Sequence, residues 1–214
     1  MIGRIARAGL AATLLTALVA FAPPGPRPAR LVLQPGSRLT IEGTSNLHEW
    51  SCATSAIVAD IRTQMNEAGT TETVDFVSIE FPVDRIECKN NTMNGKLAKA
   101  LRAESNPRIT FRTTGPRNLP VPDPLGRVSA SFRGTLTVAG VTKPVDLAVQ
   151  ATTNPDGSIR ITGSKAFLMT QFGIDPPTAM LGMLKTANRI TVRFDLTAST
   201  AAIVASGGQD TAAR

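Results

Sequence analysis

The residues with the most chemical reach in this chain stand close together. Residues 43–53, GTSNLHEWSCA, hold its only histidine, its only tryptophan and the first of its two cysteines. A thiol beside an imidazole is the raw material of a nucleophile and its base, provided the two come within hydrogen-bond reach, about 3 Å. The spacing argues against that pairing. His48, Trp50 and Cys52 alternate, so on a strand they share one face while Glu49 and Ser51 take the other. At about 3.3 Å per residue, His48 and Cys52 then stand ~13 Å apart along the strand.

Other reactive constellations are no better supplied. A single histidine leaves a zinc site without the usual ligand spacing. A Ser–His–Asp triad must use His48, yet the chain has no G-x-S-x-G elbow, and no glycine-rich phosphate or dinucleotide loop. Asn90-Asn91-Thr92 matches a glycosylation sequon, a tripeptide that recurs by chance, and Asp84 and Glu87 flank a turn as solvated acids do. The expectation is a protein that is not an enzyme, with no metal and no cofactor.

The amino terminus points to export. MIGRIARAGLAATLLTALVAFA has a basic start, an apolar run over Ala8–Phe21 and an A-x-A-like end at Ala20-Phe21-Ala22, the pattern of a secretory signal peptide over residues 1–22. The apolar run is short for a membrane span, which needs about 20 residues. Export places the chain in the periplasm or outside the cell, where two cysteines form one disulfide, Cys52–Cys88.

The same segment distorts the charge. The chain carries 23 basic and 16 acidic residues. Arg4, Arg7, Arg27 and Arg30 fall before residue 31 and no acid does, which leaves 19 against 16 for the rest. A surplus of +3, without basic runs interleaved with stacking aromatics, excludes a nucleic-acid footprint.

The elements that must position any site are strands. In RVSASFRGTLTV (127–138), Val128, Ala130, Phe132, Leu136 and Val138 share a face, with Gly134 on that face marking a bend or close approach. The alternation recurs in PVDLAVQA (Val145, Leu147, Val149), SIRITG (Ile159, Ile161), NRITVRFDL (Ile190, Val192, Phe194, Leu196) and PRITFRT (Ile109, Phe111). In VDFVSIEF the parity slips between Phe76 and Val77, as a bulge would cause. NPDG (154–157) and AGVTKP (139–144) are turns, and GPRNLPVPDPLG (115–126) is a longer loop. Many short strands, each apolar on one side, predict an all-β antiparallel barrel or sandwich.

Two stretches break the period. MNGKLAKALRAE (93–104) predicts one amphipathic helix, with Met93, Leu97, Ala100 and Leu101 on its apolar stripe and Asn91 or Thr92 capping it. Its three cations also suit peripheral contact with an anionic membrane. AFLMTQFGIDPPTAMLGMLK (166–185) is too apolar for an exposed loop and too broken for a regular strand. It reads as a plug over a barrel end or as a portal for an apolar ligand. Residues 23–37 read as a Pro-rich linker, 38–198 as the domain, and 199–214 as a flexible tail.

LTIEGTSNLHEWSC, NNTMNGKLAKALRAESNPRITFR, FRGTLTVAGVTKPVDLAV and QFGIDPP resemble, in that order, successive segments of the YceI-like family, over roughly residues 38 to 197. The resemblance implies an extended antiparallel lipocalin-like β-barrel with a helix at one side and a short helix in the C-terminal half near the barrel mouth. It also implies an exported protein of the bacterial envelope, some relatives of which hold a long isoprenoid in the barrel. His48 matches the histidine of the family's Asp-x-x-His-Ser pattern, while Ser45 and Glu49 replace its Asp and Ser.

The expected function is therefore non-enzymatic binding of a long apolar ligand, an isoprenoid lipid or quinone, for transport, storage or sequestration. The alternative is a ligand-free structural barrel filled by its own side chains. The candidate lining is Phe111, Val128, Phe132, Leu136, Leu147, Val149, Ile161, Val192 and Phe194, with Phe172 and Met183 near the mouth. Trp50 reads as a wall or core residue. His48 is either a hydrogen-bonded core histidine or a polar contact for a headgroup at the barrel's end. The sequence leaves the oligomeric state open, a dimer included.

Overall fold

The computed structural model describes residues 25–179 and 183–201. The expected signal peptide, Met180, Leu181 and most of the expected tail lie outside them. The elements are β1 (Arg27–Leu33), β2 (Arg38–Ser45), β3 (Glu49–Thr54), β4 (Val58–Met65), β5 (Thr71–Pro82), β6 (Glu87–Cys88), α1 (Asn91–Ala100), β7 (Arg108–Thr113), β8 (Arg117–Asn118), β9 (Arg127–Val138), β10 (Val141–Thr153), β11 (Ile159–Leu168), β12 (Thr178–Ala179) and β13 (Leu184–Thr200).

They close into an antiparallel barrel of eight staves. β13 has 17 residues. Its N-terminal half pairs with β2 through Phe194↔Leu39 and Val192↔Ile41, and its last residues pair with β1 through Leu33↔Ala198. β1 and β2 thus form one stave broken by a turn, and β3 and β4 form the next. The circuit continues β4–β5–β7–β9–β10–β11–β13. Closure leaves no edge of the circuit free along its whole length.

The expected Pro-rich linker is in part a strand, a correction to the sequence expectation. RPARLVL alternates, and Ala29 and Leu31 are buried. Pro28 is tolerated because β1 pairs with β13 only from Leu31 onward, so one side of the strand's start needs no N–H. The second expected turn is also tighter than AGVTKP suggests. Only Ala139 and Gly140 form it, both with positive φ, as in the two-residue turns that match strand twist. Val141 onward is already β10.

The bulge in β5 lies slightly earlier than the parity of the sequence indicates. Arg62 opposes Phe76 and Thr63 opposes Val74, so Asp75 is the extra residue. Phe76 faces outward, where the Arg62 guanidinium stacks 4.9 Å from its ring centre.

One end of the barrel carries the β2–β3 turn, the Ala139–Gly140 turn, α1 and the connection from β11 to β13; we call it the helix end. The other carries the turn at residues 66–70, the NPDG turn and the loop 114–126. At the helix end, β3 pairs with the short β6 rather than with β5, and α1 follows directly. Asn90, one residue earlier than expected, caps α1 by accepting the Met93 N–H at 3.0 Å. Cys52 and Cys88 sit directly opposite in the β3–β6 ladder and are bonded.

The stretch 166–185 resolves into strand and plug. β11 runs on to Leu168, a 3₁₀ turn spans Met169–Phe172, and β13 starts at Leu184. Phe167, Met169, Phe172 and Ile174 are buried, and Phe167 meets Phe172 edge-on at 5.9 Å. Arg102, just past α1, donates to the Gly173 carbonyl at 2.6 Å and ties the plug to the helix.

The bridge spans 36 positions in sequence, so in the chain-entropy account it stabilises by about 4 kcal/mol. Reduction, or the pair Cys52→Ser and Cys88→Ser, is expected to lower the unfolding free energy extrapolated from urea curves by that amount, with the midpoint falling accordingly. Superimposable urea curves with and without reductant would show that the bridge constrains nothing.

Candidate ligand cavity

Period two in the strands has a direct consequence inside the barrel. The even residues of β9, the odd residues of β10 and β11 and the even residues of the C-terminal part of β13 meet across the ladders. Phe132 opposes Leu147, Ala130 opposes Val149, and Ile161 opposes Leu196. The face singled out in the sequence is the inward one.

That inward face is not filled. Buried residues fall into two clusters. The larger, at the helix end, includes Ile41, Phe81, Ile109, Phe167 and Phe172; the smaller, at the other end, is Ala29, Leu31, Ile61, Met65 and Ala198. Between them Val128, Ala130, Phe132, Leu147, Val149, Ala151 and Ile161 point inward yet remain only half-buried. They line a cavity of about 760 Å³, within the ~300–1,000 Å³ range of small-molecule sites.

Glycines explain how the lumen stays open despite the aromatics around it. A side chain on Gly163 would run into the Phe194 ring and the Ala148 carbonyl. One on Gly134 would meet the Phe111 ring, and one on Gly43 the Trp50 ring. Gly163 lies opposite Phe194 and Gly43 opposite Trp50 in the ladders. Each ring therefore lies over a glycine of the neighbouring strand, flat on the wall rather than across the lumen. Gly134 is the close approach its position on the apolar face predicts.

All but one of the candidate lining residues border this cavity: Phe111 on β7; Val128, Phe132 and Leu136 on β9; Leu147 and Val149 on β10; Ile161 on β11; Val192 and Phe194 on β13; and Phe172 in the plug. Met183 is the exception. It is 68% exposed and borders no part of the cavity. Its backbone is held from below, because the Asn46 side-chain amide donates to the Met183 carbonyl at 2.7 Å and its oxygen accepts the Lys185 N–H at 2.9 Å. The side chain is left to face solvent.

The opening cluster also borders the cavity as a set: His48, Trp50 and Cys52 all line it. They do so at descending depth. Cys52 is buried, Trp50 half-buried, and His48 exposed at the rim. His48 is thus not a core histidine. Its Nδ1 lies 3.2 Å from the Ser45 hydroxyl, but that hydroxyl already donates to the His48 carbonyl at 2.8 Å and accepts the His48 N–H at 3.1 Å. The pair closes a turn. Asn90, Thr92 and Lys96, from the start of α1, complete a polar rim at the helix end. Along α1 the predicted stripe Met93, Leu97, Ala100 and Leu101 lines the cavity below that rim.

The carboxylates held below their ordinary range lie elsewhere. The Arg62 side chain lowers Asp60, hydrogen bonds from the Arg127 backbone and side chain lower Asp123, the Ser158 hydroxyl lowers Asp156, and Arg160 lowers Asp195. None of the four borders the cavity. Among the described residues no group of three or more His, Cys, Asp or Glu side chains could hold a metal ion.

Among the lining residues outside the candidate set, Lys165 is the charged one on a strand. Lys165 has the inward parity of Ile159, Ile161 and Phe167 in IRITGSKAF, and it borders the cavity, half-buried. The signal was there: a lysine on the apolar face of an otherwise regular alternation.

A closed eight-stave antiparallel barrel with a helix at one end and an open apolar interior defines a lipocalin-like fold. The chain belongs to the YceI-like domain family, whose model matches residues 37–198. Three solved structures share the fold. The first is BcnA of Burkholderia cenocepacia, with TM-score 0.57 and 15% identity over 76% of this chain and 96% of that one. The second is a polyisoprenoid binding domain from Saccharophagus degradans, with TM-score 0.57 and 11% identity over 81% of this chain and 99% of that one. The third is the YceI protein of Campylobacter jejuni, with TM-score 0.51 and 16% identity over 71% of this chain and 84% of that one. A comparison with curated proteins found no match.

Gly163→Val is expected to push Phe194 off the wall, lowering stability by roughly 1–3 kcal/mol through overpacking. The same change should shrink the lumen and the amount of lipid retained. An unchanged thermal midpoint with an unchanged cavity in a crystal structure of the variant would show that the ring does not depend on the glycine.

Proposed function

We propose that this protein is an exported, non-enzymatic carrier that holds one long apolar lipid, an isoprenoid or quinone-like molecule, inside its barrel for transport, storage or sequestration. The observation that carries this is the half-buried inward face. Apolar side chains that face the centre of a domain and still leave a 760 Å³ cavity would be a liability in a barrel meant only to be solid. At ~30 Å³ per water-sized group, the cavity has room for about 25 such groups. Each CH₂ moved from water into it contributes about 0.8 kcal/mol before ordering costs. Family membership supports the same reading, as does the fold shared with a polyisoprenoid binding domain.

Export and a periplasmic or secreted location rest on the basic-then-apolar start of the chain and agree with the Cys52–Cys88 bridge. Turnover has no support at the rim: the only cysteines are bonded to each other, and the Ser45 hydroxyl is engaged in the turn beside His48.

The helix end is the entrance in this reading. Leu47 and Met183, 72% and 68% exposed, stand there beside the exposed Lys96 and Lys185. An apolar tip ringed by cations suits brief contact with an anionic membrane from which a lipid is taken. Leu47→Glu with Met183→Glu is expected to abolish co-sedimentation with phosphatidylglycerol vesicles. Equal sedimentation of the double variant and the parent would remove the docking role.

Trp50, the only tryptophan, borders the cavity and reports on its contents. Organic extracts of the purified protein are expected to contain about one lipid per chain, and adding a long isoprenoid to delipidated protein should shift Trp50 emission saturably. Repeatedly empty extracts together with a flat titration would refute the carrier reading.

A further inference from the structure

The barrel wall has a seam. β10 and β11 are joined only from Gln150↔Thr162 to Thr153↔Ile159. Toward the helix end, β10 back to Val141 pairs only with β9, and β11 on to Leu168 pairs only with β13. Pro144 confirms the free edge in sequence terms. It sits within β10 opposite Thr135, and a proline is accepted inside a strand where its missing N–H faces an unpaired side. The plug, whose Met169 and Phe172 are buried, contacts both strands at this end.

Lys165 stands on the β11 edge of the seam and points inward. The β11–β13 ladder runs without a register break from Ile159 to Leu168, so Lys165 shares its face with its partner Val192, a cavity-lining residue. Gly163 and Phe167, two positions away on either side, lie on the same face. Among the described residues no carboxylate pairs with the Lys165 ammonium and no acceptor takes a hydrogen bond from it; every ion pair in the barrel uses an arginine on the outside. A half-buried ammonium in an apolar lumen is costly to leave unpaired, while its aliphatic stem can lie along the apolar wall.

Resting on the reading above that the barrel carries one long apolar chain, but narrowing its ligand away from a neutral isoprenoid or quinone, we propose that Lys165 is an internal anchor for a singly charged carboxylate headgroup, so that the preferred ligand class is a long-chain fatty acid. The tail then runs from Lys165 along Val149, Ala151 and Ile161 toward Leu31 and Ile61 at the far end, all of which border the cavity. The other lysine that borders the cavity, Lys96 on α1, is exposed at the rim, so Lys165 is the one half-buried cation of the lining and matches a monoanion. A phosphate ester, with up to two charges and more acceptors, calls for a further donor such as arginine. The room for about 25 water-sized groups matches one fatty-acid chain of ordinary length.

The test compares oleate with methyl oleate, of nearly equal chain length, and with hexadecyl phosphate, by Trp50 emission on delipidated full-length protein at neutral pH. Oleate is expected to bind about tenfold or more tightly than methyl oleate, the scale of a charge-assisted hydrogen bond. In Lys165→Met that ratio should fall to about one, and in Lys165→Arg it should be kept. Three results overturn the anchor: equal binding of oleate and methyl oleate by the parent protein, a preference that survives in Lys165→Met, or a phosphate ester bound more tightly than oleate. The first and third need no variant, so a misfolded one does not rescue the idea. If none of the three lipids nor a neutral isoprenoid binds, the carrier reading itself fails. If the neutral lipids bind as well as oleate, only the anchor does.

Discussion

The backbone ladder along β13 holds the barrel together. One strand of 17 residues pairs with β11 on one side and with both halves of the broken β1–β2 stave on the other. Without that double engagement the sheet would be an open, twisted array with an exposed edge at each side. With it, the inward faces must converge on a single lumen, and the outer positions become the place for charge. Arg160 with Asp195 and Arg193 with Glu42 hold such positions along β13. Exposed pairs of this kind contribute at most about 1 kcal/mol each. Their effect is to keep the register from slipping by one residue, which would turn the charged face inward.

Closure alone would produce a solid barrel, because eight staves leave an interior that side chains can fill. What keeps this one hollow is the placement of small residues opposite large ones. Gly43, Gly134 and Gly163 give Trp50, Phe111 and Phe194 somewhere to lie. The rings add apolar wall without adding obstruction. The helix end depends on a different device. There β3 pairs with β6 instead of β5, the disulfide fixes that pairing, and α1 covers the gap with Met93, Leu97 and Ala100 half-buried rather than packed solid. Stability and access are thus divided between two clusters of buried residues and an open middle.

Much of this was legible in the alternation of β9, β10 and β13, where apolar and polar residues take turns for ten residues or more. That alternation shows one apolar face per strand but not which face turns inward; the helix is legible in MNGKLAKALRAE and the cysteine pairing in the count of two. β1 could not, because Pro26 and Pro28 disguise a strand whose start needs few hydrogen bonds from one neighbour. A run rich in Leu and Met does not reveal that the Met183 side chain turns outward; the grip of Asn46 on the loop decides that. Parity places His48 on the right face but says nothing of depth, so it does not separate core from rim. Lys165 is the opposite case: its parity is plain in the sequence, and only the open lumen gives a lysine on that face a role.

The sequence by itself determined an all-β protein with one apolar face per strand, one disulfide and no evident catalytic set, because period two, turn chemistry and residue counts are local properties. Only the tertiary structure decided that the apolar face encloses space instead of filling it. That outcome depends on which residue lies opposite which, a glycine across from a phenylalanine on a strand thirty positions away, and no window along the chain contains both. The same holds for the seam between β10 and β11. β10 and β11 are joined by a short turn, yet their pairing ends at Gln150↔Thr162, and neither strand's own alternation marks that end.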